Sequence, residues 1–152
     1  MSGFLQEGRP RLILASSSKT RACILHAAGL AFTAEPPGLD EGTMRLALSG
    51  EQGFGPHDVA EVLARAKAEA VSDTSTDAYV VGADQILALG DQIVSKPDSM
   101  EAARHQLLDL RGKGHALHTA VAVATNGETI WAQTEVATTK RLTPPNLRIS
   151  PR

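Results

Sequence analysis

Apolar positions along the chain fall into two rhythms, short aliphatic runs and helical stripes. Leu12 to Ala15 is a run of strand character, and Lys19 to Ala28 predicts a short helix closed by Gly29, a residue that readily takes the left-handed C-terminal position. A serine between them stands where an N-cap is needed. Ala31 to Ala34 predicts a second strand, ended by Pro36-Pro37, whereas Leu46 to His57 reads as Gly- and Pro-punctuated loop. Asp58, with Glu61 completing a capping box, predicts an amphipathic helix with the stripe Val59, Val62, Leu63, Ala66 and Ala70. Lys67 falls near one edge of that stripe and Glu69 near the other.

Ala78 to Val81 predicts the next strand, leading through Gly82-Ala83 into Asp84-Gln85 and on to Ile86-Leu87, with Gly90-Asp91 as a tight turn into Gln92 to Val94. Asp98 and Glu101 repeat the capping pattern for a helix with Met100, Ala103, Leu107 and Leu110 on one face, ended by Gly112. His115 to Thr125 alternates, Asn126-Gly127 is the strongest hairpin signal, and the partner strand runs from about Thr129 to Thr139. Helices mixed with long antiparallel ribbons predict an α/β fold with a mixed sheet. Residues 141–152 show no periodicity and are expected to form an irregular tail, and neither a repeat nor a second domain is visible.

Length agrees with one domain, since 152 residues is close to the usual unit of roughly 150. Composition changes the picture in one respect: 42% of residues are hydrophobic but only 3% aromatic, so the core must be built from Ala, Val, Leu and Ile. A net charge of -2 lends no support to a broad nucleic-acid-binding face. The single cysteine, Cys23, cannot pair within the chain and is expected to fill the core. With no signal-like N-terminus and no window near the roughly 18 apolar residues of a membrane span, the expectation is a soluble cytoplasmic protein.

The chemistry concentrates where strands end. A strand-to-helix turn leaves helix amides without intrahelical partners at the positive end of the dipole, so Ser16, Ser17 and Ser18 with Lys19 and Arg21 make a candidate anion site. A Ser-rich cap with solvated cations is the blander reading of that turn. Asp84, after an apolar strand and two small residues, stands where a carboxylate meets a ligand, although a turn aspartate bonding its own backbone is as consistent with the pattern. Asp40-Glu41 on a loop become Mg²⁺ ligands only beside phosphate. Lys67 and Lys96 gain meaning only together with these elements. His115 and His118, three apart on a strand, face opposite sides and do not share an ion. Neither a Walker A loop, nor a G-x-G-x-x-G fingerprint, nor a G-x-S-x-G elbow is present.

Taken in order, these pieces resemble the Maf family of nucleoside triphosphate pyrophosphatases. The carriers are L-I-L-A-S-S-S-K-T-R from Leu12 to Arg21, A-G-L-A-F around Gly29, Asp40-Glu41, L-A-R-A-K-A from Leu63 to Ala68, V-G-A-D-Q from Val81 to Gln85, Ser95-Lys96-Pro97, and L-R-G-K-x-H with T-A-V between Leu110 and Val121. The resemblance implies an elongated, two-lobed, inosine-triphosphatase-like α/β fold over residues 1–140. It implies hydrolysis of a nucleoside triphosphate to the monophosphate and pyrophosphate with a divalent metal, Mg²⁺ or Mn²⁺, a homodimer being left open as the assembly.

By the same resemblance, Ser16, Ser18, Arg21, Lys67 and Lys96 bind phosphates, Glu41 and Asp84 hold the metal, and Asp84 takes a proton from the attacking water. Catalysis then falls to Asp84, Lys67 and Lys96. Thr20, where the family often has arginine, and Gln85 relate to base selection, which stays open between a modified guanine and a pyrimidine nucleotide. Family members continue beyond the strand ending near Lys140, so the chain is expected to lack their C-terminal segment. The alternative function is therefore a non-catalytic nucleotide-binding or interaction fragment.

Overall fold

The computed structural model describes residues 10–51 and 53–140; the expected tail at 141–152 lies outside the described residues. In chain order the elements are β1 (Arg11–Leu14), α1 (Lys19–Ala27), β2 (Thr33–Ala34), α2 (Glu41–Ser49), α3 (Pro56–Ser72), β3 (Ala78–Leu89), β4 (Gln92–Val94), α4 (Met100–Asp109), β5 (Gly114–Thr125) and β6 (Glu128–Lys140). The strands form one mixed sheet in the order β2-β1-β3-β5-β6, with β4 also on β3. β1 lies parallel to β2 and β3, and every other pairing is antiparallel. The expected mixed α/β architecture is what the chain adopts.

β3 organises the sheet. β5 pairs with it from Val80 to Ala88, which occupies one edge. The other edge is divided: β1 covers Arg11↔Ala78 to Leu14↔Val81, and β4 covers Leu87↔Val94 to Leu89↔Gln92. Between them, residues 82–86 have no strand partner on that edge. β1 runs toward this gap from one side and β4 from the other, so the segments that leave both strands converge on it.

α3 covers one face of the sheet. Its buried residues are Pro56, Val59, Ala60, Leu63, Ala64, Lys67, Ala68, Val71 and Ser72, and its alanines pack against Ala120, Ala122 and Ala124 of β5. Small side chains on both surfaces let the backbones approach closely, and Gly82 marks the tightest point. A Cβ there would lie 2.3 Å from the Ala64 carbonyl oxygen and 2.6 Å from the Ala68 nitrogen. The small step before Asp84 thus admits a helix, where the sequence suggested a ligand.

Several expectations are corrected. The stretch read as loop from Leu46 contains the end of α2, which the expectation missed. Its N-cap is Asp40, whose carboxylate accepts from the Thr43 amide at 3.1 Å and hydroxyl at 2.7 Å, and its Met44 and Leu48, one turn apart, pack on the core. Glycines 42 and 50 disguised that short apolar stripe. α3 begins two residues before Asp58: Gly55 is its N-cap, Pro56 opens it, and Asp58 accepts from the Gly55 amide at 3.0 Å. Glu61 instead pairs with Arg65 at 2.8 Å. The buried stripe is rotated from the expected one, leaving Val62, Ala66 and Ala70 half-buried and putting Lys67 in its middle. β2 is shorter than expected and β3 continuous. α4 is capped by Ser99, with Met100 81% and Leu107 46% exposed. Cys23 is exposed rather than core.

Candidate active site

The gap beside β3 opens into a cleft of about 570 Å³, lined by Ser16, Ser17, Ser18, Arg21, Glu41, Arg45, Lys67, Asp84, Gln85 and Lys96 among others. The fold explains each contribution. β1 delivers the serine turn, which is tied back through Ala15 N-H to the Val81 carbonyl at 2.8 Å. Ser16 Oγ accepts from the Ser18 amide at 3.1 Å and from Arg21 Nη1 at 3.3 Å, and Ser18 Oγ caps α1 through the Arg21 amide at 3.4 Å. Arg21 is thereby folded over the turn instead of projecting into solvent. From the other side, β4 leads into Ser95 and Lys96, and the Gln106 side chain of α4 donates to the Ser95 carbonyl at 2.6 Å.

Lys67 lies at the floor of the cleft with only 3% of its surface exposed. Its ammonium donates to Asp84 Oδ1 at 2.6 Å and to the Ala83 carbonyl at 3.4 Å, and pairs with Glu41 Oε2 at 2.8 Å. Two hydrogen bonds and one ion pair thus occupy the ammonium. Burying such a charge is tolerable only when it is paired and hydrogen-bonded, which ties the carboxylates and the lysine into one unit. Asp84 is equally buried. Its Oδ2 has no hydrogen-bond partner, and Arg45 Nη2 lies 3.7 Å from it.

Arg45 is the charged cleft residue that the sequence reading missed. Its signal was the spacing from Glu41: four residues apart on α2, the two side chains share a helix face, but the helix itself had not been recognised. Of the expected residues, Ser16, Ser18, Arg21, Glu41, Lys67, Asp84, Gln85 and Lys96 all line the cleft. Thr20 is exposed and is not among the lining residues. Gln85, next to Asp84 on the strand, lines the cleft from the opposite face of the sheet and donates to Thr119 Oγ1 at 2.9 Å.

Four cations facing two carboxylates make the cleft a site for an anion. Among the described residues no three His, Cys, Asp or Glu side chains converge as a metal cage. The donor set instead fits an ion that takes one or two carboxylates and completes its shell with phosphate oxygens and water. Asp84 Oδ2 is an unengaged buried donor of that kind, and Glu41, 40% exposed, turns only Oε2 to Lys67.

The family model described as Maf-like protein matches residues 11–147. A 7-methyl-GTP pyrophosphatase of Brucella abortus is 44% identical over 127 residues, which is 84% of this chain and 63% of that protein. A nucleoside triphosphate pyrophosphatase of Caulobacter vibrioides is 45% identical over 124 residues, 82% of this chain and 61% of that one. The chain therefore spans a little over three-fifths of the length of these relatives. Among solved structures, a HAM1 protein from Coxiella burnetii aligns with a TM-score of 0.48 and 13% identity, over 84% of this chain and 70% of that one.

Proposed function

The chain belongs to the Maf-like protein family, and from that premise we propose that it binds a nucleoside triphosphate in the cleft and hydrolyses it to the monophosphate and pyrophosphate. The observation that carries the reading is Asp84: a buried carboxylate with one oxygen held by Lys67 and the other unbonded, in a cleft otherwise dominated by cations. Ser16, Ser18, Arg21 and Lys96 would bind phosphate oxygens, with the first turn of α1 adding amides and the positive end of its dipole. Asp84 Oδ2 would take the proton of a water attacking the α-phosphorus while the bond to the bridging oxygen breaks and pyrophosphate leaves. Lys67 would hold Asp84 and Glu41 in position and balance their charge. Glu41 and Asp84 would hold a divalent cation, Mg²⁺ or Mn²⁺, which when bound supplies neutralisation of the phosphate charge. No covalent nucleophile is needed.

Gln85, which lines the cleft, is the better placed candidate for base selection, and Thr20 would act only through a movement of α1. Names borne by relatives place 7-methylguanine first in the panel to be tested, with a homodimer as the assembly to be examined. Pyrophosphate release with Mg²⁺ or Mn²⁺ should be measured over 7-methyl-GTP, the ordinary nucleoside triphosphates and dTTP. Asp84→Asn is expected to lower turnover by roughly 10²- to 10⁴-fold, the usual contribution of a positioned base. Binding of a triphosphate without release from the wild-type chain would replace this reading with a nucleotide-binding one.

A further inference from the structure

The cations of the cleft are not equally available to a ligand. Lys67 is taken up by two hydrogen bonds and an ion pair within the protein, and Arg21 donates to Ser16. Lys96 is exposed and makes no ion pair among the described residues. Arg45 differs from all three. Its side chain is 27% exposed, its Nε is fully buried without an acceptor, and its Nη2 lies 3.7 Å from Asp84 Oδ2, too far for a hydrogen bond. Two charged groups thus face each other, each holding a buried polar atom that nothing in the protein satisfies.

Leaving such atoms unsatisfied is unfavourable, so their persistence at a cleft is evidence of a missing partner. A guanidinium is a planar donor matched to two oxygens of one phosphate, and a loose contact to a carboxylate is easily exchanged for it. There is room for the exchange. Arg45, Ser95 and Lys96 line both the main cleft and a neighbouring depression that includes Leu46, Phe54 and Ile93.

Resting on the pyrophosphatase reading, we propose that Arg45 is a further substrate-binding residue: in the free protein it serves as counter-ion to Asp84 Oδ2, and on binding it moves onto a phosphate oxygen, releasing that carboxylate oxygen for the reaction. α2 then couples two events, because Glu41 and Arg45 occupy successive turns of the same helix. Phosphate entry both fills the Arg45 donors and exposes Asp84.

The test is calorimetric titration of inorganic tripolyphosphate into the full chain in chelator, without metal, for the wild type, Arg45→Gln and Arg45→Lys, alongside KM and kcat for whichever nucleotide is cleaved. Arg45→Gln is expected to weaken tripolyphosphate binding by roughly ten- to a hundredfold, as for a lost charge-assisted pair, and to raise KM. Arg45→Lys, which keeps charge but not the planar fork, should fall between. Should Arg45→Gln fail to fold, as judged by circular dichroism, the lysine variant carries the test, and affinity equal to wild type overturns the proposal. So does a folded Arg45→Gln that binds as tightly as wild type with only a lower melting temperature, which would mark a structural role, or a wild type that does not bind tripolyphosphate. Wild-type binding that Arg45→Gln weakens, with no pyrophosphate released from any nucleotide, would sink the enzymatic reading and leave the Arg45 assignment intact.

Discussion

Lys67 and Asp84 form a pair whose members are hard to remove singly. Both are 3% exposed and 2.6 Å apart. Replacing Lys67 by Met should leave Asp84 as a buried charge with only the distant Arg45, and a loss of about 3–5 kcal/mol is expected in denaturant unfolding. The Lys67→Met/Asp84→Asn double variant should recover part of that loss. A second residue-scale prediction concerns His118, whose Nδ1 is buried without a partner and whose ring stands edge-on to His57 with centroids 6.5 Å apart. Burial, followed by repulsion from His57, lowers its pKa below the ordinary 6.5. His57 is in turn 3.7 Å from Asp58. The unfolded chain therefore binds this proton at higher pH than the folded one, so stability should fall as pH drops through about 6.5 and level off below the folded pKa. His118→Gln should flatten that part of a melting-temperature profile.

At the scale of elements, the decisive contact is α3 on β3. Gly82→Ala would drive a methyl group into the helix backbone, 2.3 Å from the Ala64 oxygen. Because the obstructing atoms are main chain, no rotamer change relieves it, and α3 must move off the sheet, carrying Lys67 away from Asp84. A cost of about 3 kcal/mol or more is expected in urea unfolding, with pyrophosphate release falling further than the stability loss alone would give. α2 makes the complementary prediction. Asp40 holds the first turn through Thr43, and those hydrogen bonds, the side-chain one first, lower its pKa. Asp40→Ala should fray the turn that carries Glu41 and raise the KM for substrate.

Over the protein as a whole, the sheet formed by the described residues ends at β6. β6 pairs with β5 on one side, and among the described residues no strand lies on its other side. It runs for 13 residues and carries Ile130, Trp131 and Val136 about half exposed. A long edge with apolar side chains is a template for pairing with another chain. Light scattering at rising concentration should show self-association, and Val136→Lys, placing a charge on that edge, should reduce it.

The linear order of residues was sufficient for the composition of the core, the mixed α/β class and most of the cleft. Aliphatic runs, turn glycines and strand-end serines are local signals, and motif order along the chain carried the family. The helix at α2 escaped because Gly42 and Gly50 flank its short stripe and its anchors, Met44 and Leu48, acquire meaning only against a surface that does not exist until the sheet forms. Lys67 read as an edge residue for the same reason: its burial depends on which alanines face β5 and on how closely Gly82 lets the helix approach. Arg45 could be assigned a partner only once folding brought α2 over β3. Local propensity is written in neighbours a few residues apart, whereas the pairing of buried charges is settled by contacts between segments that meet only when β1 and β4 converge beside Asp84.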